Sequence, residues 1–127
     1  MKREQFTIPY PQSKTERSQW NKRYGANAYY SGKPWQVRKR DADFWHQLTR
    51  ACMDKQGVRR VPFKRPAIVI FHWNDRLDID NHAVMGKMIV DALKGRVIED
   101  DNRKWLHGVC HYYHDSDFIS VEVREIL

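Results

Sequence analysis

The 127-residue chain is poor in cysteine, has no long apolar run, and shows no internal repeat or low-complexity tract. Its 2 cysteines, Cys52 and Cys110, stand far apart without C-x-x-C spacing, so buried reduced thiols are expected rather than a disulfide framework. Six histidines are scattered; the stretch HGVCHYYH has one cysteine beside its histidines and reads as strand filling, not as a zinc site. No apolar run reaches the roughly 20 residues that a bilayer requires, and the opening MKREQFTIPYPQ lacks a signal-peptide core. A soluble, cytoplasmic protein with no membrane role is the expectation.

What is present is a globular composition, 41% hydrophobic and 13% aromatic, in a chain of single-domain length. The net charge of +7 is unevenly spread. Residues 1–65 hold 16 lysines and arginines against 5 acids, whereas residues 66–127 hold 7 against 11. A basic first half steers toward polyanions and points to nucleic acid. Solubility alone is the plainer reading of such charge.

Along the chain, QFTIPYP reads as a short strand stopped by prolines. Residues 12–35 show no sustained period and read as loop or short turns. There Lys14, Arg17, Lys22, Arg23 and Lys33 alternate with Trp20, Tyr24, Tyr29, Tyr30 and Trp35. Interleaved cations and rings suit a phosphate backbone with exposed bases, although each ring suits packing onto the sheet equally well. A helix is expected from about 36 to 56, with Phe44, Trp45, Leu48 and Cys52 inward, Arg38, Lys39 and Arg40 on the wet side, and Gly57 as its stop. AIVIFHW, Ala67 to Trp73, reads as a central strand buried on both faces. A second helix is expected from about 81 to 94, closed by Gly95. Two strands follow, near 107–114 and 118–126, the last alternating Ile119, Val121 and Val123 with polar residues. The fold class is therefore α+β: one domain, a small mixed four-stranded sheet, two helices packed on it.

Between residues 78 and 101 lie five aspartates, Asp78, Asp80, Asp91, Asp100 and Asp101, within a helical apolar pattern. With Asp80 at the N-cap, Lys87 and Asp91 share its stripe of the helix, while Met85, Met88, Ile89 and Ala92 form the inward stripe. If the helix returns antiparallel to the strand, Asp100 and Asp101 can rejoin Asp78 and Asp80. Carboxylates so gathered repel unless a cation lies among them, and an all-oxygen set suits Mg²⁺ or Mn²⁺ better than zinc. A calcium loop is excluded, because counting from Asp78 places Ala83 where glycine is required and Ile89 where glutamate is required. Each residue also has a plain structural reading as a cap, an i, i+4 pair or a solvated turn.

The series LDIDN, Lys, DALKG, IEDD, taken in order, resembles the RusA family of Holliday-junction resolvases. The resemblance covers Ala67 to Trp105 and, loosely, the opening FTIPYPQS. It implies Asp78, Asp80 and Asp101 as metal-binding and catalytic aspartates, Lys87 as the catalytic lysine, and Asn81, Asp91 and Asp100 as supporting residues. Lys87 follows Asn81 by six positions where the family pattern has three, with Val84 at the expected place; the shift is about 4.5 Å along a helix. Arg103 and Lys104 are alternative cations. The resemblance further implies a Mg²⁺-dependent endodeoxyribonuclease, active as a homodimer on four-way junctions in DNA recombination and repair. Lys14, Arg17, Lys22, Arg23, Lys33, Arg38, Lys39 and Arg40 would hold the DNA. A less selective nuclease, or a basic DNA-binding protein without catalysis, is the alternative expectation.

Overall fold

The computed structural model describes residues 2–126 as an α+β domain built on a four-stranded mixed sheet. The strands are β1 (Arg3–Pro9), β2 (Ala67–Trp73), β3 (Leu106–Tyr113) and β4 (Phe118–Glu125), in the order β1-β4-β2-β3. Only β2 and β3 run parallel; β4 pairs antiparallel with β1 on one side and β2 on the other. A parallel pair requires a crossover, supplied by a 3₁₀ turn, Ile79–His82, and the helix α4, Ala83–Leu93.

Period-two alternation decides which side of the sheet the helices cover. On β2, Ala67, Val69, Phe71 and Trp73 are wholly buried, while Ile68, Ile70 and His72 on the other face are only half-buried. The central position of β2 is as expected; full burial of both its faces is not, because the second face carries no helical layer. Val121 of β4 stands in register between Phe6 of β1 and Phe71 of β2, and all three are buried. Each such aromatic or aliphatic side chain contributes about 1.5–3 kcal/mol by leaving water.

The segment expected to be loop is helical. α1 spans Lys14–Tyr24 and α2 spans Ala26–Tyr30, so four α-helices accompany the sheet rather than two. Ser13 caps α1, its hydroxyl accepting from the Glu16 amide at 3.1 Å. α1 buries only Trp20 and Tyr24, one turn apart, which is why no period was visible across it. These rings meet Trp45 of α3 (Trp35–Lys55) edge to face, at 5.9 and 5.3 Å between centroids. The packing reading of Trp20 and Tyr24 is thus the one realised, while Tyr30 and Trp35 stay exposed.

Met85, Met88, Ile89 and Ala92 form the buried stripe of α4, as expected. Gly95, at φ 78°, ends that helix where a side chain would be strained. Gly86 lets α4 approach the sheet: a Cβ there would stand 2.9 Å from His111 and 3.3 Å from Phe71. Among the described residues no helix is long and apolar enough to cross a membrane.

Candidate metal and nucleic-acid site

The segment between β2 and α4 is short, polar and held at both ends. Asp75 accepts at Oδ1 from the Leu77 amide (3.0 Å) and at Oδ2 from the Tyr10 hydroxyl (2.9 Å), while Tyr10 in turn accepts from the Asn74 amide (2.7 Å). Burial, followed by the charge of Asp75, holds the Tyr10 hydroxyl far above its ordinary pKa, so it remains a donor. His82 closes the far end, with Nδ1 2.9 Å from the Ile79 carbonyl and Nε2 2.8 Å from Asp75. Trp73 stacks on the His82 ring at 4.5 Å and donates its indole N–H to His111 Nδ1 at 3.0 Å. Burial, then the neighbouring His82, pushes the His111 ring below its ordinary pKa and keeps it neutral at pH 7.

Asp78 and Asp80 project from this clamped segment and are exposed. Neither has an ion-pair partner among the described residues. Asp80 lies inside the 3₁₀ turn and Asp78 holds its N-cap position without a capping bond, which corrects the expectation of Asp80 as the cap. Both sit near Tyr113 at the end of β3. That hydroxyl donates to the Leu77 carbonyl at 2.5 Å, and burial, then Asp75, Asp78 and Asp80, raises its pKa. Asn81 accepts at Oδ1 from the Asn27 amide at 2.9 Å and so ties α2 to the turn. Packing there is close: a Cβ on Gly25 would lie 2.9 Å from the side-chain nitrogen of Asn81 and 3.1 Å from Leu77.

Asp101 belongs to a different cluster. Because β2 and β3 are parallel, the chain leaving α4 returns to the start of β2, where the Ala67 amide donates to the Trp105 carbonyl at 2.9 Å. Asp101 therefore meets the middle and end of α4: Lys87 Nζ lies 3.2 Å and Lys94 Nζ 3.5 Å from its Oδ2. Lys87 also donates to Asp91 at 2.7 Å. Burial alone would raise the Asp101 carboxyl, but the Lys87 hydrogen bond and both lysine charges hold it below the usual range. The hydrogen bond to Asp91, then that to Asp101, raises Lys87. Among the described residues no three His, Cys, Asp or Glu side chains group as a metal site. The structure thus brings Lys87, Asp91 and Asp101 together and adds Lys94, but does not bring Asp101 to Asp78 and Asp80. Asp100 turns back on its own loop, accepting from the Asp101 amide at 2.8 Å.

A cavity of about 380 Å³ between α4 and β3 is lined by Ala83, Gly86, Lys87, Asp101 and His111 among others; neither Asp78 nor Asp80 lines it. A separate cleft of about 550 Å³ is lined by Lys14, Arg17, Ser18, Asn21, Asn74, Asp75 and Arg76.

The basic residues divide by their partners. Arg23 and Lys33 both pair with Asp41, a wholly buried carboxylate that also accepts from the Tyr29 hydroxyl at 2.8 Å, so Arg23 of α1, Tyr29 of α2 and Lys33 of the following turn are fastened onto α3. Arg17 pairs with Asp117 and donates to the Asn74 carbonyl at 2.6 Å. Lys39 makes a solvent-exposed i, i+4 contact with Asp43 at 3.4 Å. Lys14, Lys22, Arg38 and Arg40 are exposed and have no ion pair among the described residues. Sequence reasoning missed Tyr10, Asp75, His82, His111 and Tyr113, which position the segment, and Arg76 in the cleft.

No protein-family model matches the chain, and no curated protein matches it.

Proposed function

We propose that the protein is a metal-dependent endodeoxyribonuclease acting on branched DNA, as its resemblance to RusA-like resolvases implies. One observation carries this reading: two exposed carboxylates with no cation partner among the described residues, Asp78 and Asp80, stand on a clamped segment whose Arg76 lines a basic cleft. Their oxygens suit a hard divalent ion, Mg²⁺ or Mn²⁺, which is commonly held by one or two carboxylates together with substrate phosphate and water. Such an ion, when bound, polarises a phosphate and lowers the pKa of an attacking water. Asp101, the third carboxylate of the expected set, is paired here with Lys87 and Lys94, so an ion that used it would compete with both lysines.

The chain's own groups then divide the remaining work. Asp91 and Asp101 hold the Lys87 ammonium at the rim of the cavity, where it can offset charge developing on a phosphate. Asn81, His82 and Asp75 fix the segment bearing Asp78 and Asp80. Basic surface from the first half of the chain meets the DNA backbone, a task dominated by phosphate contacts. A homodimer, implied by the same resemblance, would place two such sites across a two-fold junction.

The engagement of Asp101 by two lysines favours a second reading, a basic DNA-binding protein that does not cut. Cleavage of a synthetic four-way junction with and without Mg²⁺ separates the two. The nuclease reading expects metal-dependent nicking that Asp80→Asn abolishes while junction binding in a gel shift persists. Binding without nicking by the unaltered protein selects the second reading, and joint loss of binding and cleavage in Asp80→Asn makes that aspartate structural.

A further inference from the structure

We infer that the cleft between α1 and the segment 74–76 seats a DNA backbone phosphate adjoining the one presented to Asp78 and Asp80. Three cations line it, Lys14, Arg17 and Arg76, with the neutral side chains of Ser18, Asn21 and Asn74 between them. Its one acid, Asp75, has a wholly buried side chain already engaged by His82, Tyr10 and the Leu77 amide, so its charge is met from within. Arg17 is held by Asp117 and the Asn74 carbonyl and lies over the Tyr10 ring at 4.4 Å. Lys14 and Arg76 have no ion pair among the described residues. Two positive charges in one cleft thus lack an acidic partner among the described residues, and an anion seated there gains from both.

The room points to the kind of anion. About 550 Å³ is more than one phosphate fills and suits a sugar-phosphate unit passing through an open groove. Arg76 offers a planar fork for phosphate oxygens, Lys14 a mobile point charge, and the Ser18 hydroxyl a neutral donor. Arg76 stands two residues before Asp78, so a strand held here runs on to the exposed carboxylates. The position beside a cut rests on the nuclease reading; the phosphate seat itself does not.

The test is anisotropy titration of a fluorescent four-way junction in EDTA across a salt series, so that cleavage cannot enter. The double variant Lys14→Ala/Arg76→Ala is compared with Lys64→Ala/Arg65→Ala, which removes the same charge before the start of β2, at the other end of that strand. The cleft variant should lose about tenfold or more in affinity, and its log–log salt slope should shrink by about 0.9, the value for the one phosphate seated there. The control pair should change both far less. Equal losses in the two pairs would reduce the effect to net charge and overturn the seat, as would failure of the unaltered protein to bind DNA. A cleft effect in a protein that never nicks with Mg²⁺ upholds the seat and removes the nuclease reading. Nicking without a cleft effect does the reverse.

Discussion

His82 Nε2 lies 2.8 Å from one oxygen of Asp75 and 3.0 Å from the other, and both side chains are wholly buried. The other ring nitrogen faces the Ile79 carbonyl at 2.9 Å, so each ring nitrogen has an oxygen within hydrogen-bond distance. Trp73, stacked on the ring, keeps water from one side. The pair spans the segment that carries Asp78 and Asp80 and fixes its length and path.

Removing one partner of a buried pair strands the other, a loss of about 3–5 kcal/mol. His82→Leu, which leaves Asp75 with only the Tyr10 hydroxyl and the Leu77 amide, should therefore lower unfolding free energy by about 3 kcal/mol in urea titration. Asp75→Asn should cost less, because an uncharged amide tolerates burial better. A loss under 1 kcal/mol for His82→Leu would mean that the segment does not depend on the pair.

How legible this was in the sequence differs by element. β2, α3 and α4 were readable because each carries a pattern long enough to show: an unbroken apolar strand, a 21-residue amphipathic helix, and a methionine stripe closed by Gly95. α1 was not, since two inward residues in eleven make no period, and its signal was Ser13 with Glu16 three positions on, a capping pattern hidden in a polar run. The Lys87–Asp91 pair followed from spacing alone. The fate of Asp101 did not, because it depends on β3 running parallel to β2, and strand order is a long-range property that no local pattern encodes. His82 and Asp75 looked like loop residues; only their burial reveals their work.

Thr49, in the middle of α3, is wholly buried and its hydroxyl has no hydrogen-bond partner among the described residues. A buried unpaired hydroxyl is costly, and replacing it by a methyl of similar shape removes the cost without opening a cavity. Thr49→Val should raise the urea midpoint by an amount equivalent to about 1 kcal/mol. A comparable drop would show that the hydroxyl is paired in solution.

Asp41 offers a pH signature. Burial alone would raise its carboxyl, yet hydrogen bonds from Lys33, Tyr29 and Arg23 outweigh burial and hold it below the ordinary range. A depressed native pKa means that the unfolded chain binds the proton more readily. The resulting stability is present above about pH 4 and is lost as pH falls through the native value. Asp41→Asn should therefore be less stable at pH 7 and show a shallower fall in melting temperature between pH 5 and pH 3. Parallel acid profiles for variant and unaltered protein would place the acid-sensitive group elsewhere.

The separation of Asp101 from Asp78 and Asp80 can be tested through metal affinity. Lys87 and Lys94 stand 3.2 and 3.5 Å from Asp101 and compete with any ion for its oxygens, whereas Asp78 and Asp80 have no such competitor among the described residues. Mn²⁺ titration followed by electron paramagnetic resonance should find affinity reduced tenfold or more in Asp78→Asn and in Asp80→Asn. Asp101→Asn should change it less than threefold, because its loss frees Lys87 and Lys94 rather than a metal ligand. If Lys87 acts on the phosphate, Asp101→Asn should nonetheless slow cleavage, and Lys87→Met should slow it further with Mn²⁺ affinity kept or raised. A tenfold loss of Mn²⁺ affinity in Asp101→Asn would return that aspartate to the metal and show that the lysines yield to the ion when it binds.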